Sequence, residues 1–125
     1  MSQHSMRTAR YYGKKDVRVE NQPKTPTGDT DVMINIAACG ICGSDLHEYT
    51  MGPRSVPSTD PHPLTKQTLP VPLGHEFGGE VVEIGTNVSD FSIGDTVAVN
   101  PFVSCGDCRY CNAGKNYLCS SIGVI

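Results

Sequence analysis

Hydrophobic and polar residues alternate along this chain in short runs, which is the pattern of β-strands rather than of long helices. Five runs predict strands, at residues 7–12, 16–20, 31–38, 79–85 and 95–99. The chain contains 13 glycines and 9 prolines. These residues favour turns between strands. The pattern therefore predicts a mainly β fold, a small β-barrel or rolled sheet.

A long segment between the third and fourth runs shows almost no periodicity. Residues 52–72 contain six of the nine prolines. A structureless segment of this length is uncommon in a compact domain, and is usually functional or disordered. Just before it, the sequence predicts a short helix over residues 46–49, with Ser44 or Asp45 as its N-cap.

Length and charge narrow the class of protein. The 125 residues correspond to one domain, and we expect residues 1–5 to form a polar extension and residues 6–125 the domain. The formal net charge of -3 gives no general attraction to nucleic acid or to an anionic membrane. No apolar run approaches the roughly 18 residues of a membrane span, and residues 1–10 lack an apolar signal region. We expect a cytoplasmic protein.

Four cysteines near the end of the chain have the spacing of a metal site. The quartet follows C-x2-C-x2-C-x7-C, in Cys105, Cys108, Cys111 and Cys119. Four thiolates close a tetrahedral shell around zinc and leave no position for a substrate. Residues 105–119 therefore predict a structural zinc lobe, with disulfides or an iron–sulfur cluster as the alternatives.

A second candidate site combines residues that lie far apart in sequence. Cys42 lies at a strand-to-helix junction, where a helix N-terminus favours a thiolate. His75 and Glu76 follow Gly74, just before a predicted strand. Cysteine, histidine and one oxygen ligand, with the fourth position open, are a catalytic zinc arrangement. From the spacing alone, a buried cysteine and a core histidine remain the default alternative.

Three segments together resemble a known family. Residues 74–88 resemble the zinc alcohol dehydrogenase signature G-H-E-x2-G-x5-G-x2-V, and residues 40–47 resemble that family's first zinc-ligand segment. The cysteine quartet is similar to its structural zinc lobe, and the three segments occur in the family's order. The chain is thus similar to the medium-chain zinc dehydrogenases. Their N-terminal catalytic domain is a GroES-like β-barrel, and the resemblance implies that fold here.

The resemblance extends to one group within the family. This group is the 2,3-butanediol dehydrogenases, with sorbitol and other polyol dehydrogenases as close relatives. The segments that resemble it are residues 47–49, 52–53, 61–65 and 73–76. It implies an NAD(P)-dependent oxidation of a small alcohol or diol, such as 2,3-butanediol or a related polyol, to a ketone.

The resemblance also assigns roles at the proposed catalytic zinc. Cys42 and His75 would be ligands, and Glu76 would be a ligand or lie close to the metal. A Glu that pairs with a nearby cation is the alternative for Glu76. Asp45 would hydrogen-bond His75, fixing its ring, and a simple helix cap is its alternative. Cys39 has no matching role and is expected to be a small buried residue.

Two further residues would act on the substrate side. By resemblance, Ser44 contacts the substrate oxygen and passes on its proton, which a hydroxyl can relay, although a helix N-cap remains possible. By the same resemblance His47 would end this relay, since histidine is the side chain best suited to exchange protons near neutral pH; an exposed histidine without a role is the alternative. Tyr49 and the 52–72 segment could line the substrate pocket, and His62 could be merely exposed to solvent.

The family's second domain has no counterpart in this sequence. A nicotinamide site needs a strand, a glycine-rich turn and a helix, and the chain lacks G-x-G-x-x-G. We therefore expect a catalytic-domain fragment with two zinc ions and no Rossmann domain. It would be inactive alone, and the full-length protein would bind NAD(P) and be a homo-oligomer. The main alternative is a zinc-binding interaction module without catalysis, which would hold one zinc.

Overall fold

The computed structural model describes residues 5–125, which form strands with only short helices. In chain order the strands are β1 (Ser5–Gly13), β2 (Asp16–Pro23), β3 (Val32–Gly40), β4 (Val71–Pro72), β5 (Glu76–Ile84), β6 (Thr96–Ala98), β7 (Phe102–Val103) and β8 (Gly123–Val124). The helices are α1 (Gly43–Met51) and α2 (Arg109–Asn112), and a single 3-10 turn covers Asn116–Leu118. The predicted mainly β class is confirmed.

The strands pair in three antiparallel sheets. One has the order β2-β1-β4, the second β3-β5-β6, and the third is the β7-β8 ribbon. Tyr11 and Val81 are fully buried, one in each larger sheet. The five predicted strands are all present within a few residues of the expected bounds. The predicted extension, residues 1–5, lies outside the described residues except for Ser5, which begins β1.

The first hairpin fixes the end of the longest helix. β1 and β2 join through a tight turn at which Gly13 has φ +149 and Lys15 has φ +58, and a positive φ is costly for most residues other than glycine. The Lys15 backbone N–H donates to the Tyr49 carbonyl at 2.7 Å. The buried Tyr11 hydroxyl also donates to α1, reaching the Glu48 carbonyl at 2.6 Å. α1 is thereby held against the first sheet.

The β3–β5 pair explains two glycines of the zinc dehydrogenase signature. A side chain on Gly79 would place Cβ 2.1 Å from the Asn35 carbonyl oxygen, and one on Gly85 would place it 2.3 Å from the Gly28 and Asp29 carbonyls. Both distances are far inside van der Waals contact, so neither position accepts a larger residue. The close approach also sets the register in which Gly40 lies opposite Glu76.

The proline-rich segment is more ordered than its sequence indicates. It has no helix or strand before β4, as expected, but it closes on itself. The Leu69 N–H and the Thr68 hydroxyl donate to the Pro57 carbonyl at 3.0 Å and 3.3 Å. The Arg10 guanidinium donates to the Pro70 carbonyl at 2.5 Å. Side-chain and backbone contacts of this kind leave no periodic signal in a sequence.

The helix prediction was wrong in its bounds and its cap. α1 covers nine residues rather than 46–49, and its N-cap is Cys42, with φ -81 and ψ 156. Ser44 and Asp45 therefore lie inside the first turn of the helix. Cys39 is also exposed rather than buried. Within the described range no helix is long and apolar enough to span a bilayer.

Glu48 is a buried carboxylate that organises the end of α1. Its side chain accepts hydrogen bonds from the Arg54 N–H at 3.0 Å and from the Ser55 N–H and hydroxyl, both at 2.7 Å. The residue is 4% exposed. Burial raises the pKa of this carboxyl, but the hydrogen bonds from Ser55 and Arg54 outweigh it and hold the pKa below its usual 4.5. Glu48 therefore stabilises the fold as an anion.

We expect Glu48→Ala to lower the free energy of unfolding by about 2–3 kcal/mol, because it leaves buried N–H groups unpaired. The contribution of the carboxylate is complete above pH 4.5 and is lost as pH falls through its lower folded pKa,. Urea denaturation of the parent and of Glu48→Gln at several pH values measures this contribution. The difference in free energy of unfolding between the two proteins should become smaller on acidification. Glu83→Gln, at an exposed position, is the control. A pH-independent difference would contradict the prediction.

Candidate metal centres and substrate cavity

Cys42, His75 and Glu76 come together at one end of the second sheet. One ligand atom from each lies within 4.8 Å of the others. The pairing of Gly40 with Glu76 places the end of β3 beside the start of β5, which is why residues distant in sequence meet here. Cys42 and His75 are half-buried and Glu76 is exposed. One side of the group is thus open to a further ligand.

Asp45 joins the helix to the histidine of this group. Its Oδ2 accepts the Cys42 backbone N–H at 2.9 Å, so it caps the first turn of α1 from its third position,. Oδ1 of the same carboxylate lies 3.4 Å from Nδ1 of His75. Asp45 therefore lies beside His75, as expected, at the distance of an ion pair, and it caps the helix from inside the first turn rather than as the N-cap. A proton held on Nδ1 leaves Nε2 of His75 free to bind a metal.

The donor set fits zinc. Thiolate, imidazole and carboxylate are the three zinc ligand types in proteins, with bonds of about 2.0–2.3 Å. Ligand atoms of such a tetrahedron lie about 3.3–3.8 Å apart, so the separations within 4.8 Å require only small side-chain movements. Magnesium and calcium prefer oxygen ligands alone.

A cavity of about 380 Å³ adjoins this group. This volume is within the usual range for small-molecule sites. Ser44, Asp45 and His75 form one part of its wall, and the other parts come from the proline-rich segment and the last residues of the chain; the residues from these two parts include Ser55, Val56, Pro57, His62, Thr65, Gln67, Ile122, Gly123, Val124 and Ile125. Of the three candidate ligands only His75 lines the cavity, so a small molecule there would reach this group beside His75.

Of the two residues expected to transfer the proton, Ser44 and His47, only Ser44 lines the cavity. Ser44 lines the cavity, as expected, and is exposed to it. His47 lies one turn further along α1, is exposed, and does not line the cavity. This position suits an exit to solvent, but gives no contact with a bound molecule. Tyr49 also lies outside the cavity wall, contrary to the expectation that it could contribute to the pocket.

The cysteine quartet forms a compact sulfur cluster. All four Sγ atoms lie within 4.8 Å of one another. Individual distances are 3.5 Å for Cys105–Cys119, 3.6 Å for Cys108–Cys111 and 3.9 Å for Cys105–Cys111. Four thiolates on one zinc at about 2.3 Å lie about 3.8 Å apart. All are free thiols, so the geometry favours zinc over the disulfide alternative.

Backbone N–H groups prepare part of the quartet for a metal. They lower the pKa of Cys108 to about 6, with the Cys111 N–H as the main cause, and they lower the pKa of Cys119, chiefly through the Cys105 N–H. The Asp107 side chain raises the pKa of Cys105 to about 12. Binding zinc must therefore release a proton from Cys105, so affinity for zinc rises with pH.

Comparison with known proteins agrees with this geometry. The alcohol dehydrogenase GroES-like domain matches residues 28–124. The chain belongs to this family. It is 52% identical over 98 residues to an (R,R)-butanediol dehydrogenase of Bacillus subtilis, an alignment that covers 77% of this chain and 28% of the relative. It is 36% identical over 118 residues to a sorbitol dehydrogenase of the same organism, covering 94% and 31%.

Solved structures show the same fold. The crystal structure of 2R,3R-butanediol dehydrogenase from Bacillus subtilis superposes with a TM-score of 0.87 at 42% identity, covering 95% of this chain and 33% of that one. A protein of Sinorhizobium meliloti described as a zinc-binding dehydrogenase, bound to NADP, superposes with a TM-score of 0.80 at 36% identity, covering 98% and 32%. The chain thus spans about a third of the length of its relatives. The family resemblance is confirmed.

Three features of the cavity were not found from the sequence. They are the buried Glu48, the ring contacts of His62, and the contribution of residues 122–125 to the wall. Each depends on where a turn brings distant backbone groups. The length and proline content of the 52–72 segment indicated only that it was functional or disordered.

Proposed function

We propose that this chain is the catalytic domain of a zinc-dependent, NAD(P)-linked dehydrogenase that oxidises a small diol or polyol to a ketone, with 2,3-butanediol as the first candidate. The main support is the group of Cys42, His75 and Glu76, which has an open side and adjoins a cavity of about 380 Å³. The substrate class is supported by the sequence similarity of the chain to butanediol and sorbitol dehydrogenases.

The residues divide the task between metal binding and proton transfer. Cys42, His75 and Glu76 would hold a zinc ion, which as a Lewis acid lowers the pKa of an alcohol. Asp45, 3.4 Å from Nδ1 of His75, would orient that ring and leave its Nε2 available,. Ser44, at the cavity wall, would accept the proton of the alcohol hydroxyl as its own hydroxyl proton passes on. The exposed His47 would deliver that proton to solvent.

The remaining functions would come from other parts of the protein. We infer that the quartet holds a second, structural zinc, giving two per chain. The relatives are about three times as long, and the nucleotide, NAD or NADP, would bind in their additional length. We also propose that the whole protein is a cytoplasmic homo-oligomer.

The chain of 125 residues is expected to show no diol-dependent reduction of NAD or NADP, even with zinc. The reason is that residues 5–125 contain no strand, glycine-rich turn and helix that could seat a dinucleotide,. Absorbance of reduced nicotinamide measures the reaction. Turnover by this chain above a zinc-free control would contradict the prediction.

The function itself is tested in the longer protein that carries this domain. We expect (2R,3R)-butanediol, and more weakly sorbitol, to drive nicotinamide reduction. Ser44→Ala should lower kcat about a hundredfold, the usual range for removal of a proton-transfer group, with zinc content unchanged. Absence of turnover with every small alcohol and diol by zinc-loaded protein would reject the proposal.

A further inference from the structure

The ring of His62 uses both of its nitrogen atoms. Nδ1 accepts the backbone N–H groups of Leu64 at 3.2 Å and Thr65 at 3.3 Å. An imidazole that accepts at Nδ1 carries its proton on Nε2. Nε2 lies 3.2 Å from the Ile122 carbonyl oxygen and is therefore the donor of that hydrogen bond. His62 thus bonds through both ring nitrogen atoms, so the alternative of a merely solvent-exposed histidine does not hold.

The ring also packs directly on the backbone of β8. A Cβ on Gly123 would lie 2.6 Å from Cε1 of His62, which is too close for any side chain. Gly123 is itself buried. The missing side chain at Gly123 therefore leaves room for the edge of the His62 ring beside Ile122.

The segment that receives this bond is anchored to the cysteine lobe. The Ile122 N–H donates to the Cys119 carbonyl at 3.2 Å. β8 pairs with β7, and the Ile125 N–H donates to the Pro101 carbonyl at 3.0 Å. On the other side, the turn that carries His62 is closed by two backbone hydrogen bonds with residues 66 and 67, each 2.9 Å. His62 thus connects two small units, each closed by its own backbone hydrogen bonds.

These two units form adjacent parts of the cavity wall. His62, Thr65 and Gln67 line it from the proline-rich segment, and Ile122 and Gly123 line it from the other side. We propose that His62 is a positioning residue. Its bond to Ile122 fixes the distance between these two parts of the wall and so couples the cysteine lobe to the shape of the substrate cavity. We call the hydrogen bond between His62 and the Ile122 carbonyl the tie. The consequence for substrate binding rests on the proposed function, whereas the tie itself does not.

Two substitutions separate the tie from the turn. In His62→Asn the side-chain oxygen can replace Nδ1 as the acceptor within the turn, but the side chain is too short to reach Ile122. In His62→Gln the side-chain amide can reach the Ile122 carbonyl, but the acceptor for Leu64 and Thr65 is lost. If His62 served only the turn, Asn would be the milder change. The tie predicts that Gln is the milder one.

In the longer protein we expect His62→Asn and His62→Ala to raise KM for butanediol about fivefold to tenfold, the equivalent of one hydrogen bond. The value of kcat should change less than about threefold, because no group at the metal is altered. His62→Gln should restore KM to near the parent value. Thr59→Ala, at an exposed position in the same segment, is the matched control. An unchanged KM in His62→Asn, or a larger increase of KM in His62→Gln than in His62→Asn, would overturn the proposal.

Amide hydrogen exchange tests the tie without any substrate. The Leu69 and Ile125 amides, each hydrogen-bonded on one side of the junction, should exchange faster in His62→Asn and at the parent rate in His62→Gln. Unchanged exchange of both amides in Asn would reject the tie. If the parent protein shows no diol turnover but the exchange result holds, the proposed function fails and the tie stands.

Discussion

Cys119→Ser is expected to cost the protein one zinc ion and its cooperative thermal transition. Cys119 is the only buried member of the quartet, 5% exposed, and its Sγ accepts the backbone N–H groups of Cys105 at 3.3 Å and Ser121 at 3.4 Å. A structural zinc in a small domain supplies an apparent binding free energy of about 10–16 kcal/mol, which is also folding free energy. A serine hydroxyl does not replace a thiolate ligand.

The effect should be large because the rest of the domain has little core to compensate. Apart from Cys119, the buried apolar residues within 5–125 are Tyr11, Val71 and Val81. The short ribbon of β7 and β8 and the 3-10 turn have few contacts of their own, so they depend on the metal for order. We therefore expect residues 101–125 to lose fixed structure, and the cavity wall formed by Ile122 and Gly123 to be lost with them.

Native mass spectrometry and near-ultraviolet circular dichroism measure this result. The parent should hold two zinc ions, and Cys119→Ser one at most, with a melting transition that is broad or absent. Cys39→Ser is the matched control, because Cys39 is exposed and lies outside both metal groups. Two retained zinc ions with an unchanged transition would contradict the prediction. A mass lower by four hydrogens in the parent would instead indicate two disulfides.

The sequence was most informative where chemistry constrains residue type and spacing together. The spacing of the quartet predicted a zinc site, and the structure brings its four Sγ atoms within 4.8 Å of one another. Cys42 and His75 could not be joined by spacing, because the pairing of β3 with β5 brings them together. From the sequence they were a candidate site with a buried cysteine and a core histidine as the default alternative, and the family resemblance decided between the two. Their meeting is a property of strand register, which local patterns do not specify.

The sequence was least informative where backbone groups do the work. Cys42 replaced Ser44 and Asp45 as the N-cap of α1 because the Asp45 carboxylate bonds the Cys42 N–H from inside the helix. The order of the 52–72 segment comes from Glu48, His62 and the Pro57 carbonyl. Such bonds require only a polar side chain and a nearby turn, and many residues would fit the same description in the sequence.

Cys42→Ser is expected to remove the other zinc ion while leaving the fold intact. Cys42 is half-buried at the start of α1, and the Asp45 bond to its backbone N–H does not involve the thiol. Serine can therefore occupy the N-cap position, where it is a preferred residue. The free energy of unfolding should change little in this variant, in contrast to Cys119→Ser.

Activity of the longer protein should fall at least about a thousandfold in Cys42→Ser, since Lewis-acid stabilisation of the reacting oxygen supplies several kcal/mol. Native mass spectrometry should count one zinc ion, and thermal melting should match that of Cys39→Ser. The count also separates the proposed dehydrogenase from a zinc-binding interaction module. A module would hold one zinc in the parent and the same one in Cys42→Ser, because Cys42, His75 and Glu76 would then never have bound a metal.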